Sequence, residues 1–242
     1  MIRSIFTYFL AIIHFGFLIL FFYPLVLLLG EEKGTKFTRK LAIHWGKFLC
    51  KITFTKVEVI YKDREIFDKI KDEIVVVVGN HQSLMDIPIL FAYFPKEIGF
   101  VAKEELKKIF FLSLWMKRAK CVFIDRKSPK KAYTSLKKAI EYIQNGYSLV
   151  IFPEGTRTEE GEIKEFKKGS FKLALESKKM IIPVTIKGSY EIHKKHRFEL
   201  GFNKRVKLII DNPIQTINLS QEEKKNLKDI VRKNIIYNYN TN

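Results

Sequence analysis

The stretch Ile74-Val75-Val76-Val77-Val78-Gly79-Asn80-His81-Gln82-Ser83-Leu84-Met85-Asp86 decides how this chain folds. Its first six residues are apolar and mostly β-branched, so the segment has no polar face to turn to water. Such a run reads as a strand covered on both sides, the kind that sits in a parallel sheet between layers of helix. A polar turn comes next, at the strand's carboxyl end, which is where α/β domains place their ligands.

Working outward, Ile181–Ile186 repeats the same doubly buried pattern. Further strands are predicted at Val57–Tyr61, Gly99–Ala102, Cys121–Asp125, Ser148–Phe152 and Val206–Asp211. Helical patterns lie between them. Ser128-Pro129 opens one as N-cap and first residue, and Asn145-Gly146 closes it. Residues 103–117 and 167–177 also read as helical, and a last helix over 220–236 takes Ser220 as its cap. Alternation of this kind predicts an α/β domain with a mixed, mostly parallel sheet flanked by helices.

The amino-terminal part has a different character. Ser4–Leu29 is a run of 26 uncharged residues rich in Phe, Leu and Ile. As a helix it would reach ~39 Å, against ~30 Å for the hydrocarbon core of a bilayer. It is too long for a cleaved signal peptide, and no small-residue cleavage site follows. Pro24 interrupts it, so it either spans with a kink or dips in and turns back. A polar turn is expected at Gly30–Thr35. Beyond it Phe37, Leu41, Trp45, Phe48 and Ile52 recur at helical spacing, flanked by Lys36, Arg39, Lys40, Lys47 and Lys51. That stripe suits either the lipid interface or packing on the body. The expected organisation is therefore an anchoring helical pair over 1–52 and an α/β domain over 53–242.

The chain has 242 residues, 47% of them hydrophobic, with 21 Phe and 10 Tyr, which excludes a disordered protein. Two cysteines, Cys50 and Cys121, exclude a disulfide scaffold and a cysteine-based metal site. Net charge is +18, and since residues 1–30 carry only Arg3, the remaining 17 sit on the body. An apolar head on a basic body points to an acidic phospholipid surface rather than nucleic acid, for which no recognised binding motif appears. The lysines that follow the head predict that a spanning helix would leave the body in the cytoplasm.

Four strand ends carry the candidate chemistry. His81 follows the first strand, and Asp86 lies five residues on. A neutral imidazole takes a proton from a hydroxyl while a carboxylate orients its other nitrogen, provided the turn between them is not regular helix. On a straight helix the two would stand about 140° apart. Phe152-Pro153-Glu154-Gly155-Thr156-Arg157 ends another strand, with a glycine for close approach, the Thr156 hydroxyl, and a guanidinium fork for phosphate. It equally suits a tight turn with a surface ion pair. Phe123-Ile124-Asp125-Arg126 ends a third, and Lys103 is expected to begin the helix after Gly99–Ala102. A histidine base among Lys103, Arg126 and Arg157 points to a hydroxyl acceptor that also bears a phosphate. His14 reads as incidental in the apolar head, and His44, His193 and His196 as surface or interface groups.

These residues resemble the 1-acyl-sn-glycerol-3-phosphate acyltransferases and the wider glycerolipid acyltransferase family. The family's Asn-His-x4-Asp motif stands at Asn80 to Asp86, and Phe-Ile-Asp-Arg at Phe123 to Arg126. Phe-Pro-Glu-Gly-Thr-Arg stands at Phe152 to Arg157, and an apolar strand around a proline at Ile181 to Ile186. Val101–Leu106 and Phe166–Ser170 are similar too. Departures fall at Phe110, Ser113 and Lys120-Cys121, away from the charged motif residues. The resemblance covers about residues 36–215 and implies a glycerolipid acyltransferase-like fold. It also implies acyl transfer from a thioester, acyl-CoA or acyl-acyl carrier protein, to a lysophospholipid in the membrane, with no cofactor and no metal. His81 and Asp86 would be catalytic. Lys103, Arg126 and Arg157 would bind phosphate, and Asn80, Ser83, Glu154, Gly155 and Thr156 would position substrate. Glycerol 3-phosphate or another lysolipid is the alternative acceptor. A non-catalytic, basic membrane-binding protein is the alternative of a different class.

Overall fold

A computed structural model describes residues 1–125, 128–159, 161–194 and 197–241. Among these residues the strands, numbered along the chain, are β1 (Lys56–Tyr61), β2 (Val76–Gly79), β3 (Ile98–Lys103), β4 (Val122–Ile124), β5 (Ser148–Ile151), β6 (Ile181–Lys187) and β7 (Arg205–Ile210). They form one sheet in the order β1-β7-β6-β2-β5-β3-β4, parallel throughout except between β6 and β7. All seven lie where apolar, β-branched runs predict them. β2 sits at the centre between β5 and β6, and each of its residues is buried.

The helices are α1 (Ile2–Phe17), α2 (Tyr23–Leu28), α3 (Gly30–Ile52), α4 (Arg64–Lys69), α5 (Asp86–Tyr93), α6 (Phe110–Arg118), α7 (Pro129–Gln144), α8 (Lys168–Ser177) and α9 (Gln221–Thr241). Their ends follow local chemistry. The Ser128 hydroxyl caps α7 by accepting from the Lys131 amide at 3.4 Å. Ser220 and Glu223 cap α9 reciprocally, each accepting the other's backbone amide, at 3.2 and 2.7 Å.

Side chains alternate across the sheet and build two cores. Val75, Val77, Phe100, Phe152 and Val184 face α3 and α5, where they meet Cys50, Ile89, Leu90 and Phe94. Val76, Val78, Leu149 and Ile151 face α7, α8 and α9, where they meet Ile143, Leu173, Leu227, Val231 and Ile235.

The amino-terminal helices form an antiparallel hairpin. Phe22 meets Phe37, Phe15 meets Trp45, and His14 stacks on Phe48 at 3.8 Å. Three expectations change here. The turn is confined to Leu29–Gly30, and Glu31 to Thr35 are already helical, with the two acids at the positive end of α3. The aromatic stripe of α3 faces α1 and α2, because rings on those helices offer it closer partners than lipid would. Arg39, expected on a solvated flank, is buried against Glu97 at 3.5 Å and beneath the Tyr147 ring at 4.9 Å. The opposite side of α3 packs on α5. A side chain at Gly46 would come within 2.3 Å of the Pro88 carbonyl, so only glycine permits that approach.

The first helix is continuous through residue 28, with a π-helical segment at Leu18–Phe22 just before Pro24. A proline supplies no amide to the preceding turn, and a locally widened helix absorbs the missing bond. Lys103 also differs from expectation: it closes β3, paired with Ile124 of β4, instead of opening a helix. A 3-10 turn at Glu104–Lys108 then leads into α6.

Candidate active site

Adjacent strands β2 and β5 end side by side, and the two segments that follow them are bonded into one unit. Glu154 accepts the His81 amide at 2.8 Å, and the Thr158 amide donates to the His81 carbonyl at 3.0 Å. Gly155, at φ +76°, makes the turn that allows both contacts. On the other flank Asn80 continues the pairing of β2 with β6 through its side chain. Its Nδ2 donates to the Ile186 carbonyl at 2.9 Å, and its Oδ1 accepts the Ile186 amide at 2.8 Å. An amide side chain here does what a further strand residue would do.

Between these two braces the turn is not helical, and Asp86 is the first residue of α5. Asp86 is fully buried, and its Oδ2 accepts from the Gln82 and Ser83 amides at 2.9 Å each. The same oxygen lies 2.8 Å from His81 Nδ1. A carboxylate only accepts, so Nδ1 is the donor in this contact, and Nε2 faces away from the carboxylate, the nitrogen that a neutral imidazole offers as a base. The imidazole lies flat on the Phe152 ring, 4.3 Å between centroids, which fixes its plane. A positioned base with an oriented second nitrogen removes a proton from a hydroxyl.

Glu154 is held by the protein's own backbone. One oxygen holds the His81 amide, and the other holds the Lys164 amide at 3.0 Å. Burial pushes its carboxyl up to about 7, against the opposing pull of the His81 and Lys164 amides. Ser83 is likewise fully buried, its hydroxyl donating to the His193 carbonyl at 3.1 Å and accepting the Met85 amide at 3.2 Å. Asn80, Ser83 and Glu154 thus contact backbone and shape the turn. Gly155 and Thr156 lie half-buried within the neighbouring loop.

Arg157 comes next in that loop, one residue from the Thr158 contact, and its Nη1 is buried with no hydrogen-bond partner among the described residues. Lys103 is exposed at the carboxyl end of β3, two strands from β2. Arg126 lies outside the described residues, as does His196. The predicted cations are therefore brought unequally close: Arg157 belongs to the His81 unit and Lys103 stands further out. Sequence reasoning missed Thr158 and Gln82, both fully buried. Gln82 ties the turn to the Glu159 and Glu162 carbonyls at 3.2 and 3.4 Å. Their signal was faint, a polar residue directly beside each motif's key cation or base. His193, read as a surface group, is half-buried beside this site.

On the sheet's other face, a cavity of about 400 Å³ opens where β3 and β5 meet α7 and α8. Val101, Val122, Ile124, Leu136, Ile151 and Leu173 line it. Both thiols are buried, and burial pushes Cys50 up to about 12 and Cys121 to about 11, so neither supplies a thiolate nucleophile.

The acyltransferase family model matches residues 51–187, which include His81, Asp86, Glu154 and Arg157. The chain belongs to the acyltransferase family. As an O-acyltransferase, it is 32% identical over 240 residues to a 1-acyl-sn-glycerol-3-phosphate acyltransferase of Borreliella burgdorferi, covering 97% of this chain and 94% of that one. A yeast relative of the same description, from Saccharomyces cerevisiae, is 33% identical over 66% of this acyltransferase and 54% of its own length. The crystal structure of the 1-acyl-sn-glycerophosphate acyltransferase of Thermotoga maritima superposes with a TM-score of 0.77 at 31% identity, covering 98% of this chain and 96% of that one.

Proposed function

We infer that this acyltransferase moves an acyl group from a thioester, acyl-CoA or acyl-acyl carrier protein, to the sn-2 hydroxyl of 1-acylglycerol 3-phosphate, forming phosphatidic acid. The observation that carries the chemistry is the His81–Asp86 pair, with Nδ1 bonded at 2.8 Å and Nε2 turned outward. Nε2 takes the acceptor's hydroxyl proton as the oxygen attacks the thioester carbonyl. The carbon–sulfur bond breaks, and the departing thiolate recovers the proton from the imidazolium. Asp86 stabilises the imidazolium meanwhile. A thioester is already activated, so the reaction needs neither a covalent acyl-enzyme nor a cofactor, which agrees with two inert thiols. Arg157, together with Lys103 and Arg126, takes the acceptor's phosphate.

Residues 1–52 serve as the membrane anchor and 53–242 as the catalytic domain. Ile2–Leu28 is long and apolar enough to cross a bilayer, but it is fastened to the body along its length. Near its start Ser4 Oγ accepts the Leu200 amide at 3.0 Å, and Tyr8 donates to the Phe198 carbonyl at 3.0 Å. Phe15 packs edge-on against Trp115 at 4.9 Å, and Arg118 holds the Val26 carbonyl at 3.0 Å. The outer face exposes Phe6, Phe9, Ile12, Phe17, Leu20 and Phe21. A helix bonded near both ends to the body and apolar on its other side suits a place within one leaflet. The lysines of the body hold it to acidic lipid on the cytoplasmic side, where the donor is found.

The test is a product assay on purified enzyme with lysophosphatidate, glycerol 3-phosphate and other lysolipids as acceptors and thioesters of several lengths as donors. Phosphatidic acid is the expected product, and His81→Ala is expected to lower turnover by about 10²–10⁴-fold without loss of fold. A folded His81→Ala enzyme with full activity would overturn the mechanism, and preference for another acceptor would overturn the substrate.

A further inference from the structure

The loop between β6 and β7 enters the site from the side opposite Arg157. Its 3-10 turn at Ser189–Glu191 leads into His193, whose carbonyl accepts the Ser83 hydroxyl at 3.1 Å and so rests on the catalytic turn. The His193 ring is half-buried, and its Nδ1 is enclosed by protein with no hydrogen-bond partner among the described residues. Arg157 Nη1, from the loop after β5, is in the same condition. Two nitrogen-bearing groups from separate loops flank one turn, and each lacks an acceptor among the described residues. Buried polar nitrogens are ordinarily satisfied, so two unsatisfied nitrogens on either side of the catalytic turn call for a ligand, and the natural partner of a guanidinium is an anion. Burial, and to a smaller degree the Arg157 charge, holds the His193 imidazole below the ordinary histidine value.

We propose that His193 is an acceptor-binding residue that takes the lysolipid's phosphate together with Arg157. This rests on the phosphate-bearing acceptor inferred above. The position of His193 is set from both directions. Ser83 holds it on the side of the chemistry. On the membrane side, α1 holds the same loop through Ser4 to Leu200 and Tyr8 to Phe198, and the Tyr8 ring stands edge-on to the imidazole at 6.4 Å. The headgroup contact and the lipid-facing helix are thereby parts of one assembly.

Steady-state kinetics of the full-length enzyme in mixed micelles tests this, with lysophosphatidate and with monoacylglycerol, which lacks the phosphate. His193→Ala is expected to raise the KM for lysophosphatidate roughly 10-fold, the effect of losing one hydrogen bond to a charged group. The donor KM, kcat and turnover of monoacylglycerol stay unchanged, and His193→Gln, which keeps a donor, recovers part of the loss. Unchanged lysophosphatidate KM, or equal losses on both acceptors, overturns the proposal. A measurement on unaltered protein guards against a variant that fails to fold. Glycerol 3-phosphate is titrated into histidine-labelled enzyme, and the His193 ring resonance, assigned with His193→Gln, is expected to shift. A resonance that stays put overturns the proposal. An enzyme inert toward lysophosphatidate but active on a different acceptor refutes the substrate reading alone, and the titration then still decides the role of His193.

Discussion

The turn Asn80–Asp86 and the hairpin of α1 to α3 use their residues in opposite ways. In the turn, a single carboxylate oxygen of Asp86 gathers three donors, and the backbone of His81 is bonded on both sides. In the hairpin, stacked rings and a close Gly46–Pro88 approach do the holding, and most of the outer face is exposed hydrocarbon. Directional bonds fix an atom to a fraction of an ångström, whereas apolar area supplies adhesion without direction. Damage to one region should therefore remove chemistry and spare attachment, and damage to the other should do the reverse.

The largest effect should come from Asp86→Asn, which takes away the charge that orients His81. Turnover should fall about 10²–10⁴-fold while sedimentation with phosphatidylglycerol vesicles is unchanged. A loss of vesicle binding would show that the two regions are not separable. Next, replacing Phe9 and Phe21 by Ser should weaken vesicle binding about 100-fold, taking roughly 1.4 kcal/mol for each ring withdrawn from lipid. Turnover of a water-soluble, short-chain acceptor should hold, and if it fell with binding the comparison would break.

A smaller effect concerns Glu154. Its folded value of about 7 lies above the ordinary carboxylate value of 4.5, so between these limits the unfolded chain gives up its proton first. Stability should therefore fall as pH rises from about 4.5 to about 7, by about 3 kcal/mol at most. Unfolding in denaturant at pH 5 and pH 8 measures this, and Glu154→Gln should flatten the profile. The smallest effect is none: a thiol-alkylating reagent at pH 8 should leave activity intact, because Cys50 and Cys121 stay protonated and covered.

How much of this was legible in the sequence depended on whether the signal was local. Strands such as Ile74–Gly79 and Ile181–Ile186 declare themselves, because burial on both faces demands apolar residues at every position. The spacing of His81 and Asp86 was equally plain, though only the turn brings them to 2.8 Å. The bracing by Glu154 was hidden, since its partners are backbone amides 73 and 10 residues away. The stripe of α3 read as suiting lipid or the body, and the rings that cover it come from the preceding helices. His193 was hidden for the same reason as Glu154: its neighbours come from loops that only the sheet order assembles.

Gly46 has a reach beyond packing. It sits on the helix bound to the lipid-facing segment and touches Pro88, two residues past the carboxylate that steers His81. With α3 resting directly on α5, a methyl group added at Gly46 would meet the Pro88 carbonyl at 2.3 Å and force the two helices apart, and α5 begins with the carboxylate bonded to His81. The spacing between the amino-terminal hairpin and the His81 turn is thus held by the absence of one carbon atom.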